Sequence, residues 1–176
     1  MRHAKAVGRR SWTDHDESRP LDAGGRGQAK WLSDRLASGG SGDPSPLSGV
    51  RTSPLTRCVE TVELLGQLTD APVVTDRRLA DRRIAPPVDR GSAWVGSAWL
   101  GGRALAAVDE LVRSHARGRV VVCSHGDVLA TLLAVLVGRD GVAVADARVR
   151  KGAWVTLTFA AGICVEAVAH EPAPKG

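Results

Sequence analysis

Arg119-Val120-Val121-Val122-Cys123-Ser124-His125-Gly126 decides the fold. Three consecutive valines form an unbroken β-branched run, the pattern of a strand buried on both faces of a parallel sheet. The run stops at Ser124, and a very apolar stretch from Val128 to Val137 follows, read as a helix ended by Gly138. Strand, polar loop and helix are the repeating unit of α/β sheets, which place their sites at the carboxyl ends of the strands. Ser124, His125 and Gly126 occupy that end.

Upstream, Gly49-Val50-Arg51-Thr52 is a second short strand. Ser53-Pro54 after it reads as a helix start, with serine as N-cap and proline at the first helical position. Leu55, Val59, Val62, Leu65 and Leu68 supply the apolar side of that helix. Arg57 falls in its first turn and Thr61 one turn later on the same face. Val73-Val74-Thr75 is a third strand. Asp22 caps an earlier helix carrying Ala29, Leu32 and Leu36, which ends at Gly39-Gly40-Ser41-Gly42. Residues 39–48 read as a loop, and residues 76–101, with Pro86-Pro87 and several glycines, as irregular. Ala104 to Ala116 is an amphipathic helix closed by Gly118. Ala153–Phe159 and Ile163–Val168 alternate as strands, and Ala161-Gly162 between them signals a hairpin. Strands alternating with helices predict an α/β protein, a three-layer α/β/α sandwich around a mostly parallel sheet. One domain is expected over residues 1–170, with 171–176 a frayed tail.

Composition narrows the partners. The 176 residues suit one domain, and 43% hydrophobic content is enough for a core. No run of 18 or more apolar residues predicts a membrane span, and no basic-then-apolar segment opens the chain. Cys58, Cys123 and Cys164 sit in apolar settings and form no CxxC pair, so they read as reduced core thiols of a cytoplasmic protein. The net charge of +5 suits an anionic ligand. A pI near 9.7 and five tryptophans raise nucleic-acid binding as a reading, but the charge is dispersed and no recognition motif is present.

Chemistry is concentrated in four places. Met1-Arg2-His3-Ala4-Lys5-Ala6 opens the chain with an Arg-His pair. Ser53-Pro54-Leu55-Thr56-Arg57, with Thr61, lies at a strand-to-helix junction, Ser124-His125-Gly126 at a second, and Asp81 follows Leu79-Ala80. Two arginines and two histidines meeting in one pocket suit the transfer of a phosphoryl group. Guanidinium grips phosphate oxygens bidentately and keeps its proton, while imidazole serves as nucleophile or proton carrier. Each piece alone also fits a surface role. The residues from Arg9 to Pro20 form a charged loop placed to close over a substrate or to remain ordinary surface. Other enzyme classes are disfavoured by spacing. Val122-Cys123-Ser124-His125-Gly126 lacks the first glycine of a nucleophile elbow. No phosphate-binding G-x-x-x-x-G-K-[ST] loop exists. No cysteine has an arginine six positions on. His15-Asp16 and His125-Asp127 could be metal ligands, but no further acidic or histidine cluster supports them.

Taken together, these segments resemble the histidine phosphatase superfamily, whose signature begins with Arg-His-Gly or Arg-His-Ala. The Arg19-to-Leu21 and Gly25-to-Ala29 stretches are similar to small bacterial members such as phosphohistidine phosphatases. Ser124 to Leu129 and Arg148 to Val155 are more similar still to the histidine-phosphatase half of bacterial two-domain Nudix hydrolases, although no Nudix box exists here. The resemblance implies a phosphoglycerate-mutase-like fold and a metal-independent phosphatase that needs no cofactor. His3 would be the nucleophile, forming phosphohistidine, and Arg2, Arg57 and His125 would surround the phosphoryl group. With ordinary imidazole values near ~6.5, neutral His3 and protonated His125 can coexist. Asp81 would protonate the leaving group, with Asp127 as second choice. Lys5, Ser124, Gly126 and Lys151 would help bind substrate. The expected substrates are phosphomonoesters, nucleotides or protein phosphohistidine. The other reading is a non-catalytic phosphate-binding or regulatory domain of a formerly Nudix-linked protein. Family members place a buried apolar strand before Arg-His, and only Met1 precedes it here. That strand is therefore expected to be absent or truncated, with an N-terminal partner domain as one explanation.

Overall fold

The computed structural model describes residues 1–40, 45–81, 93–115 and 118–174. Helix α1 (Ala23–Ala37) begins as the sequence predicts, because the Asp22 carboxylate accepts from the Gly25 amide at 2.7 Å. Strand β1 (Leu47–Thr52), helix α2 (Thr56–Thr69) and strand β2 (Val73–Thr75) follow. Helix α3 (Ala93–Ser114), strand β3 (Arg119–Cys123), helix α4 (Gly126–Asp140) and strands β4 (Trp154–Ala160) and β5 (Ile163–His170) complete the chain. The architecture is the α/β arrangement expected. Leu32 and Leu36 of α1 pack with Val62 and Leu65 of α2 and Val50 of β1, while Leu100, Ala104 and Val108 of α3 pack with Val128, Leu132 and Leu136 of α4.

The expected single sheet is divided. Strands β2, β1 and β3 form a parallel sheet in that order, and β4 and β5 form a separate antiparallel pair. The hairpin turns at Ala161 and Gly162, both at positive φ, which suits the twist of paired strands. Met1–His3 lies between the two sheets, bonded to Val122 and Ser124 on one side and to Ala153 on the other. Val120, Val121 and Val122 are half-buried rather than buried on both faces, because β3 is an edge strand.

Several element boundaries depart from the sequence reading, among them β1, which begins at Leu47 inside the stretch read as a loop. Helix α2 starts at Thr56, with Leu55 rather than Ser53 at its N-cap, and the Ser53 hydroxyl is 2.9 Å from Nε2 of His125. Helix α4 runs past Gly138 and ends at Gly141, whose φ of +72° closes the last turn. Helix α3 begins at Ala93, inside the stretch read as irregular. Gly101 does not break it, because that glycine is a contact point. A Cβ there would lie 2.8 Å from Cγ2 of Val135 and 3.1 Å from the Thr131 carbonyl oxygen of α4. Pro86-Pro87 lies outside the described residues. Among the described residues no helix is long and apolar enough to cross a membrane.

Candidate functional site

The Arg-His pair is held by the end of β3. The amino group of Met1 donates to the Val122 carbonyl at 2.7 Å, the Ser124 amide to the Met1 carbonyl at 3.0 Å, and the His3 amide to the Ser124 carbonyl at 3.0 Å. These are rungs of a parallel ladder, so His3 and His125 arrive side by side at adjacent chain ends. Their ring centroids are 5.3 Å apart, with planes at 63°. The next residues are clamped against both flanking helices. The Ala4 amide donates to Thr61 Oγ1 at 3.0 Å, and that hydroxyl donates to the Arg57 carbonyl at 2.6 Å. At Gly25 in the first turn of α1, a Cβ would sit 1.8 Å from the Lys5 carbonyl oxygen, so α1 rests directly on this backbone.

His3 Nδ1 lies 2.7 Å from the Ala4 carbonyl. A carbonyl only accepts, so Nδ1 carries the proton and Nε2 keeps its lone pair. His125 turns Nε2 toward Ser53 Oγ, with Cys58 Sγ at 3.5 Å, and its Nδ1 lies 4.0 Å from Asp81. Burial is the largest cause holding the His3 pKa at about 3, reinforced by His125, Arg57 and Arg2 against the opposing Ala4 bond. Burial, Arg57 and Arg2 likewise bring His125 to about 3. Both rings are therefore neutral near pH 7 in the unliganded protein, whereas the sequence reading left room for one of each.

Arg57 is fully buried. It donates to the Asp81 carboxylate at 2.9 Å and to the Asp16 carbonyl at 2.8 Å, and the Asp16 carboxylate stands 3.3 Å away. Burial lowers the Arg57 pKa, opposed by Asp16 and Asp81 among its neighbours, and the guanidinium stays charged. Asp16 also pairs with Arg19 at 2.9 Å and Arg9 at 3.4 Å. Arg2 donates to the Val149 carbonyl at 3.0 Å and packs so closely on Gly126 that a Cβ there would approach its Cζ to 2.9 Å.

These groups enclose an open cavity of about 400 Å³. Arg2, His3, Arg57, Asp81, His125, Gly126 and Lys151 all line it, as does Asp127. Asp81 is buried rather than solvated. Burial lowers the Lys151 pKa, with Arg2 and Arg19 acting the same way. Two expected substrate contacts point elsewhere. Lys5 extends to Asp22 at 3.0 Å with its side chain 60% exposed. Ser124 is buried and donates to the Leu79 carbonyl at 2.6 Å. Sequence reasoning named Arg19 in a charged loop and a family-like stretch and Asp16 in a candidate metal pair, but placed neither among the groups of this site. Arg19 lines the cavity and is only 6% exposed, donating to the Val7 carbonyl. The available signal was a mixed-charge loop beside an Arg-His pair, which now proves to reach the cavity. Among the described residues no three His, Cys, Asp or Glu side chains are grouped as for a metal ion.

A family model described as the histidine phosphatase superfamily (branch 1) matches residues 1–86 and 98–168. Among solved structures, Bacillus stearothermophilus YhfR is similar at 21% identity, covering 96% of this chain and 91% of its own, with a TM-score of 0.68. Mycobacterial glucosyl-3-phosphoglycerate phosphatase Rv2419c in complex with VO3 matches at 20% identity over 96% of this chain and 94% of its own, TM-score 0.66. The protein histidine phosphatase SixA complexed with tungstate matches at 18% identity over 98% and 92%, TM-score 0.63. At these identities the structural likeness speaks for the fold.

Proposed function

Because the chain belongs to the histidine phosphatase superfamily (branch 1), and so to the hydrolases of phosphate esters, we propose that it is a metal-independent phosphatase working through phosphohistidine at His3. The observation that carries this reading is the pairing of two neutral, buried imidazoles, 5.3 Å apart, with Arg2 and Arg57 in one cavity. The His3 Nε2 lone pair attacks phosphorus, the bond from phosphorus to the leaving oxygen breaks, and that oxygen takes a proton. Arg2 and Arg57 hold the transferring oxygens, and His125 faces the same group. Asp81 is the nearest buried carboxylate to His125 and is the group proposed to supply the proton. Water then attacks the phosphohistidine, releasing inorganic phosphate and restoring His3.

The oxyanions bound by two relatives are phosphate mimics, and this supports phosphate as the group the cavity receives. The substrates proposed are phosphomonoesters, nucleotides or protein phosphohistidine. The test is to incubate the protein with a panel of these, quench in alkali and map the adduct by mass spectrometry. A phosphoryl group on His3, absent from His3→Ala, is expected. Turnover that survives His3→Ala overturns the mechanism. A folded protein that binds phosphate but yields no adduct identifies a binding domain instead.

A further inference from the structure

Arg103 of α3 is not among the described residues that line the cavity, yet it touches the segment that delivers Asp81 into it. That segment leaves β2 through Asp76, whose amide donates to the Thr52 carbonyl at 2.7 Å and whose carboxylate accepts from the Arg78 amide at 2.8 Å. It turns at Arg77–Leu79, and the Leu79 carbonyl is held from the site side by the Ser124 hydroxyl. Past that point one guanidinium gathers the backbone. Arg103 donates through Nη1 to the Arg77 carbonyl at 3.2 Å, and through Nη2 to the Ala80 carbonyl and to the Asp81 carbonyl at 3.4 Å. A planar fork suits this task, because its donors leave one rigid group in fixed directions. Arg103 is itself held in place. Its Cζ stands 4.1 Å from the centre of the Trp99 ring, one helical turn back on the same face. Trp99 packs against the cluster of Leu100, Ala104, Leu132 and Leu136 that joins α3 to α4. Burial lowers the Arg103 pKa, opposed by Asp127, Asp81 and Asp76, and the guanidinium stays charged.

We propose that Arg103 is a positioning residue for phosphoryl transfer, holding the Asp81 backbone so that the carboxylate meets the leaving oxygen. The proposal rests on the reading of Asp81 as the proton donor. The Asp81 carboxylate lies 2.9 Å from Arg57 and 4.0 Å from His125, so it has a narrow place in the cavity. A side chain as short as aspartate cannot make up for a displaced backbone. A misplacement on the order of 1 Å costs a reacting group about 10²-fold in rate. Arg103 forms and breaks no bond in the reaction, and Arg2 and Arg57 keep their hold on the phosphoryl oxygens without it. Its effect is therefore confined to proton delivery. A leaving oxygen that needs a proton departs more slowly when the donor shifts, whereas one that leaves as a stable anion is little affected.

The test compares kcat/KM for phenyl phosphate, whose leaving oxygen is the stronger base, with kcat/KM for p-nitrophenyl phosphate, whose leaving oxygen departs as a stable anion. Arg103→Ala is expected to lower the first by about 30-fold or more and the second by about 5-fold or less. Arg103→Lys, which keeps one donor group in place of the fork, is expected to restore part of the loss on phenyl phosphate. Asp81→Asn is expected to show the same bias, with a loss of about 10²-fold or more on phenyl phosphate. Adding Arg103→Ala to Asp81→Asn is expected to change the ratio of the two esters no further. Where Asp81→Asn is biased, an equal fall on both esters in Arg103→Ala, or a further change of ratio in the double variant, overturns the role of Arg103 and spares that of Asp81. An unbiased Asp81→Asn, or a protein that turns over neither ester, overturns the reading of Asp81 and this proposal with it. Arg103→Gln, which keeps a stem beside Trp99 without the fork, carries the same comparison if Arg103→Ala does not fold.

Discussion

The two ends of β3 are completed differently. At its carboxyl end Cys123 and Ser124 are bonded on both sides, to Ser53 and to Met1 and His3. Arg57 holds both the Asp81 carboxylate and the backbone of Asp16. A few residues earlier the same strand borders an apolar groove and is only half-buried. The site is assembled from short segments, each anchored by its own helix start or strand end. Along β3, Met1–His3 pairs with the last residues, from Val122 to Ser124. The lesson is that a polar site can be held by local anchors beside an apolar surface that is only half-covered.

The comparison can be broken most severely at the site. His3→Ala is expected to lower turnover by about 10³-fold or more and to remove the phosphoenzyme, with little change in Tm. A residual adduct would place the nucleophile elsewhere. Arg57→Ala removes the guanidinium shared by Asp16 and Asp81. Thermal unfolding is expected to report a loss of about 3–5 kcal/mol, larger than for any exposed arginine such as Arg148.

Acid should separate the two regions. Both site histidines have folded-state values near 3, below the ordinary 6.5. The unfolded chain therefore binds these protons first, and the stabilisation is whole above about 6.5 and drains as pH falls toward 3. At pH 5 each ring is expected to have given up about 2 kcal/mol. The loss should halve in His3→Ala, a pattern that denaturant titrations at pH 7 and 5 would reveal or refute. A smaller contrast probes packing directly. Leu65 of α2 is sealed in the core, whereas Leu133 of α4 borders the groove. Truncation to alanine should cost about 3–4 kcal/mol at Leu65 and about 1 kcal/mol less at Leu133, which lines the groove. Equal losses would mean the groove side is packed as tightly as the core.

Much of this was legible in the residues. Asp22, the valines of β3 and the Ala161-Gly162 turn are short-range signals, and each appears where its pattern puts it. The segments carrying Arg2, His3, Arg57, His125 and Asp81 were readable for the same reason, although their convergence required the fold. Long-range effects were not readable. Gly101 looks like a helix breaker until Val135 is seen against it. Ser53 looks like a cap until His125 is seen beside its hydroxyl. Asp16 looks like solvated charge until three arginines surround it. Lys5 follows the Arg-His pair in sequence yet faces Asp22, because the chain turns away under α1.

The contact between Gly25 and the Lys5 carbonyl bears on how this sequence tolerates change. Gly25 lines neither the site cavity nor the groove and carries no side-chain chemistry, yet any side chain there must enter space held by the backbone two residues beyond His3. In a survey of all single substitutions scored for function, it is expected to be as intolerant as the histidines. Gly27, with open space around its Cα, should accept alanine freely. A map of essential positions drawn from such a survey would thus include a residue whose only contribution is to be small.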